Sequence, residues 1–125
     1  MEKFRRFFTS SGKLILAGKD AETNEKLVEQ TGKDEIVLHT KQAGSPFVNI
    51  KLNGKEKTSK KDIKEAAIFC ALYSRDWKKN KKDVEVHWFK GKDIFKNKEM
   101  KLGTFLVKKF KAINVKKEEI EKFGK

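Results

Sequence analysis

The stretch from Ser59 to Ser74 constrains the fold more than any other part of the chain. Ile63, Ala66, Ala67, Cys70, Ala71 and Ser74 recur at the three- and four-residue spacing that brings side chains onto one face of an α-helix. Ile68, Phe69 and Leu72 widen that face. Ser59-Lys60-Lys61-Asp62 precedes it and resembles a capping box, with Asp62 in place of the usual Glu or Gln. So apolar a helix needs a sheet to pack across. At its far end Tyr73-Ser74-Arg75-Asp76-Trp77 runs into Lys78-Lys79-Asn80-Lys81-Lys82, and those lysines are expected to end it.

The rest of the chain supplies the sheet. Phe4 to Thr9 and Lys13 to Ala17 flank Ser10-Ser11-Gly12 and read as a hairpin. Asp20 is a good N-cap for a helix over Ala21 to Gln30, with Gly32 as a natural residue beyond its end. That helix is mostly polar, with Leu27 and Val28 as its apolar anchors. Glu35 to Thr40 and Phe47 to Leu52 read as strands, and Asn53-Gly54 as a turn. Asp83 to Phe89 alternates as a strand. Gly91 to Leu102 is polar and irregular. Thr104 to Val107 gives a further strand, extended toward Val115, and Lys116 to Phe123 a short terminal helix. The expected order is β-β-α-β-β-α-β-β. It describes an α+β domain over residues 1–125, with a largely antiparallel sheet and two main helices on one of its faces.

Charge narrows the function. Thirty-one Lys and Arg face 18 Asp and Glu, a formal net charge of +13. Such an excess repels itself, and a polyanionic partner explains it; nucleic acid is the commonest. No basic amphipathic helix suggests a membrane surface. The start, MEKFRRFF, lacks the apolar core of a signal peptide, and Cys70 is the only cysteine, so a reducing cytoplasm is the expected setting.

Chemistry is harder to find. His39 and His87 are the only histidines and have no second ligand nearby, so no metal and no cofactor are expected. Leu16-Ala17-Gly18-Lys19-Asp20 leaves a strand for a helix but carries one glycine, not the set that cradles phosphate. No nucleophile and base stand in a legible arrangement, so no enzymatic activity is expected. The polar ends carry more. Leu38-His39-Thr40-Lys41-Gln42-Ala43-Gly44-Ser45-Pro46 places a histidine, a lysine and an amide around what could have been a plain turn. Arg75 and Lys78 to Lys82 close the long helix beside Tyr73 and Trp77, both read as core aromatics. Lysines without nearby acids suit phosphate contacts.

Taken in order, these segments resemble the NFACT-R domain, the RNA-binding module at the C-terminal end of NFACT proteins. The likeness rests on Phe8 to Glu25, with Gly18-Lys19-Asp20 and Asn24-Glu25. It rests also on Asp34 to Lys41 followed by Gly44-Ser45-Pro46, on Glu65-Ala66-Ala67 with Tyr73-Ser74-Arg75, and on Gly103-Thr104-Phe105. Lys101-Leu102-Gly103 departs from the Lys-Pro-Gly approach common in the family. The resemblance implies a stand-alone, non-enzymatic RNA-binding domain directed at tRNA or ribosomal RNA, with the large ribosomal subunit as a partner. It links the chain to ribosome-associated quality control. The N-terminal domain, helix-hairpin-helix motifs and coiled coil of full NFACT proteins have no counterpart in these residues, so tail synthesis is not carried over. Lys19, Asn24, His39, Lys41, Ser45, Arg75 and Lys78 are the expected RNA surface, provided the three polar ends converge. Two other readings stay open. One is a part in tRNA modification through Asp20, Asn24, Glu25 and His39. The other is an adaptor that docks on the ribosome through protein.

Overall fold

The computed structural model describes residues 4–52 and 57–124. The expected Asn53-Gly54 turn lies outside them. The elements run β1 (Arg5–Phe8), β2 (Leu14–Ala17), α1 (Ala21–Gln30), β3 (Ile36–Thr40), β4 (Val48–Ile50), α2 (Lys60–Leu72), α3 (Arg75–Asn80), β5 (Val84–Lys90), β6 (Ile94–Phe95), β7 (Leu106–Val107), β8 (Lys111–Val115) and α4 (Lys117–Phe123). Six strands form one sheet in the order β1-β2-β4-β3-β5-β8, and every neighbouring pair is antiparallel. The α+β reading and the antiparallel sheet stand.

Strand alternation divides the core in two. Ile15, Ala17, Ile36, Leu38, Val48, Ile50, Val84 and Val86 face α2 and α4. Leu16, Val37, Phe47 and Phe89 face the other way and pack with Leu27 of α1 and with Ile94, Phe105 and Val107 of the β6–β7 hairpin. The expectation of helices on one face is therefore corrected. The short apolar stripe of α1, Leu27 and Val28, is enough to cover half of the second face.

The Ser59 cap is built as its sequence suggests. Ser59 Oγ accepts from the Asp62 amide, and Asp62 accepts in return from the Ser59 amide. Asp62 also accepts from Ser11 Oγ at 2.6 Å, and Glu65 accepts from both the amide and hydroxyl of Ser10. The β1–β2 turn is thereby pinned to the first turns of α2. Burial opposes the charge on Asp62, but the Ser11, Ser59 and Thr9 hydrogen bonds hold its carboxyl far below the ordinary carboxylate range. Cys70 lies deep in this face, and burial pushes its thiol up to about 12.

Three expectations differ in detail. The long helix does not run on to the lysines; it ends at Leu72. Ser74 turns the chain by donating to the Ala71 carbonyl and accepting from the Trp77 amide, which caps a separate α3. The stretch from Thr104 to Val115 is not one strand. β7 pairs with β6 in a small second sheet, while β8 joins β5 in the main one. Gly32 follows α1 without a left-handed conformation. The Gln30 and Thr31 side chains instead donate to the Leu27 carbonyl and close the helix.

Candidate nucleic-acid interface

Two rows of the second face continue beyond its apolar cover. Val37 pairs with Phe89 beneath α1 and the hairpin, and the next pair on that face is His39 with His87. There the cover stops and a cleft of about 780 Å³ opens. Its walls come from the strand end and loop 39–47, the start of α1, the α2–α3 junction and the segment 102–110.

The three polar ends do converge. Lys19, Asn24, His39, Ser45, Arg75 and Lys78 all line the cleft. Lys41 is outside its lining, exposed, with its backbone amide bonded to the Glu85 carbonyl. The cations Arg5, Lys19, Arg75 and Lys78 meet one lining carboxylate, Asp20. Asp20 is already occupied as the N-cap of α1, accepting from the Thr23 amide, and that bond lowers its pKa. The cleft is therefore a concave positive surface, the form that focuses attraction for polyanions.

Not all of these residues face a ligand in the same way. Asn24 Oδ1 accepts from the Phe47 amide, and a methyl group on Gly18 would strike the Asn24 side chain. Asn24 thus clamps α1 to the start of β4. Ser45 is buried; its hydroxyl accepts from the Thr40 amide, donates to the Pro46 carbonyl and lies 3.4 Å from Cys70 Sγ. Both residues shape the cleft's floor. Gly44 has φ of +87°, and a Cβ there would meet Arg75 at 2.9 Å. The Arg75 amide also donates to the Gly44 carbonyl. Loop 41–46 and the start of α3 are thereby locked together, which places the guanidinium at the rim.

His39 has a defined hydrogen-bonding character. Its Nδ1 lies 2.7 Å from the Thr40 carbonyl, which can only accept, so the proton resides on Nδ1 and Nε2 is an acceptor. Burial lowers the pKa of the ring, and the opposed His87 adds to that, so His39 is neutral at neutral pH. A neutral ring of this tautomer accepts from an amine or hydroxyl and does not bind phosphate by donation. The His39 ring also lies on Phe47, centroids 4.4 Å apart.

Several lining residues lie outside the expected RNA surface. Arg5 sits over the Tyr73 ring at 4.2 Å and donates to the Gly18 carbonyl. Tyr73, expected in the core, is only half-buried and lines the cleft; Trp77 is buried as expected. His87 and Phe110 stack at 4.0 Å with 16° between their planes. The signal for Phe110 was present, since it stands among lysines in Lys108-Lys109-Phe110-Lys111.

Of the tRNA-modification set, Asp20, Asn24 and His39 line the cleft and Glu25 is committed elsewhere. Glu25 accepts from Lys96 Nζ through both oxygens and from the Gly103 amide. Burial would raise its pKa, but these bonds lower it, so the carboxylate is an anchor for segment 96–103 and not a base. Gly103 itself has φ of +79° and packs against Ala21, where a Cβ would come within 2.8 Å. Among the described residues no three His, Cys, Asp or Glu side chains gather as a metal site. Among them also, no helix is long and apolar enough to cross a membrane.

A six-stranded antiparallel sheet, helices on both faces and a positive cleft at the end of one face suit a nucleic-acid-binding class of domain. Residues 3–109 match the family described as the NFACT protein RNA binding domain, and the chain belongs to that family. It is 38% identical over 112 residues to the archaeal Rqc2 homolog aRqcH of Methanocaldococcus jannaschii. That match covers 86% of this chain and 16% of the relative, so the chain spans a small part of that protein's length. The same fold occurs in the C-terminal part of the fibronectin/fibrinogen-binding protein of Streptococcus suis, with a TM-score of 0.82 and 24% identity. That likeness covers 98% of this chain and 49% of the other.

Proposed function

We propose that this domain binds structured RNA, tRNA or ribosomal RNA, and does so in ribosome-associated quality control in the cytoplasm. The observation that carries the reading is the convergence of three separate polar ends on one cleft whose cations outnumber its carboxylates. Lys19, Arg75 and Lys78 neutralise phosphates at the rim. His39 supplies a neutral acceptor within. Asn24 and Ser45 hold the floor, and Lys41 extends the positive surface outside the cleft. Recognition of this kind is led by shape and backbone charge. The large ribosomal subunit is the assembly in which such RNA would be met.

A salt series with tRNA, a ribosomal RNA fragment and duplex DNA tests this. Affinity for at least one RNA is expected to exceed that for DNA and to fall steeply with salt. Lys78→Glu is expected to weaken RNA binding on the order of tenfold and to flatten the log–log salt slope by roughly one. Failure of both RNAs to bind at low salt overturns the reading.

A further inference from the structure

Phe110 is a large aromatic left half in water, 52% exposed, at the mouth of a cleft whose lining also carries the cations Lys19, Arg75 and Lys78. One of its faces is already covered by the His87 ring, parallel and in contact. The exposure therefore belongs to the opposite face and edge. His87 is in turn held by Glu85, whose carboxylate accepts from Nε2 at 2.8 Å. The platform is thus braced from below, by a ring that a carboxylate orients. Burial does not explain Phe110: it belongs to neither packed cluster, and it lies just past the residues that match the family. Leu102 and Leu106, also exposed, flank the same cleft and keep its mouth apolar.

We infer that the free face of Phe110 stacks an unpaired base of the bound RNA, extending the His87–Phe110 pair to three rings, while Arg75 and Lys78 hold the adjoining phosphates. This rests on the RNA-binding reading and deepens it: the preferred ligand is RNA with a single-stranded segment beside a helix. A paired base presents no free face to such a platform, whereas an unpaired one does. An aromatic face flanked by phosphate-neutralising cations is the arrangement that single strands require.

The test uses fluorescence anisotropy with two labelled RNA hairpins of one stem, each closed by a non-nucleotide linker, one blunt and one with a short single-stranded extension. The extension is expected to tighten binding to the natural protein on the order of tenfold. Phe110→Ala should abolish that gain and leave blunt-hairpin affinity nearly unchanged, while Phe110→Trp keeps it. Lys78→Ala should weaken both probes by the same factor. Phe110→Ala weakening both probes equally, or leaving the gain intact, overturns the stacking role while RNA binding stands. If neither hairpin binds at low salt, both readings fall together. Phe110 is exposed and outside the core, and circular dichroism of each variant confirms that the comparison is between folded proteins.

Discussion

The two faces of the main sheet begin from the same alternating strands and end differently. On the face covered by α2 and α4 the middle of the sheet is apolar, and Leu38, Ile50, Val86 and Ala67 are wholly excluded from water. On the other face the row changes character midway, from Val37 and Phe89 to His39 and His87. The first face is closed because α2 presents a broad apolar surface along its length. The second is closed only as far as Leu27 and a two-residue hairpin reach. One helix's worth of missing apolar surface is what leaves room for the cleft. The cleft is thus a direct consequence of how short the stripe on α1 is.

Neighbouring positions of β3 give the largest contrast. Leu38→Ala empties a packed site and is expected to cost about 2–5 kcal/mol. His39→Ala, one residue on and pointing to the cleft, is expected to cost about 1 kcal/mol. Urea unfolding with an unchanged m-value measures both, and equal losses would dissolve the distinction between the faces.

A smaller contrast lies in two carboxylates that each tie a turn to a helix. Asp62 does so under cover, and Asp62→Asn is expected to cost roughly 1–3 kcal/mol at neutral pH. Because the folded-state pKa of Asp62 is lowered, its contribution is complete above the unfolded value of about 3.9. It is lost as pH falls from there through the folded value. The gap between natural protein and Asp62→Asn should therefore narrow on acidification below about pH 4. A gap that widened would mean the charge on Asp62 is not what its partners stabilise.

The matching carboxylate at the open face should matter least to global stability. Glu25→Gln removes the charge that Lys96 faces, in a pair partly open to solvent, and is expected to cost about 1 kcal/mol. Its effect should concentrate in segment 96–107, where amide hydrogen exchange is expected to quicken on the order of several-fold. Quickening spread evenly over α2 and the main sheet would show that the hairpin is not a separate, looser cover.

Much of this architecture was legible in residue patterns. The Ser59–Asp62 and Asp20 caps, the bounds of α1 and the β1–β2 hairpin follow from local rules and occur as read. The His39 end was recognisable because polar groups stood where a plain turn would not need them, and the Lys19 and Arg75 ends joined it through the family resemblance. The β6–β7 pair was not legible: two residues on each strand carry no periodicity, and their pairing depends on Glu25 drawing segment 96–103 onto α1. The break at Ser74 was hidden because its side chain fits a helix face and a cap equally well.

By itself the sequence determined the elements, the depth of the apolar helix and the positive charge seeking a polyanion, since propensity, capping and composition act over a few residues. Only the tertiary structure decided which polar side chains support and which face outward. Asn24 and Ser45 look like surface chemistry in the chain, yet each is spent on a backbone group brought to it from a different element. Phe110 looks like one more core aromatic, yet it is half in water, with His87 stacked on one of its faces. Contacts between distant segments assign those roles, and no spacing along the chain records them.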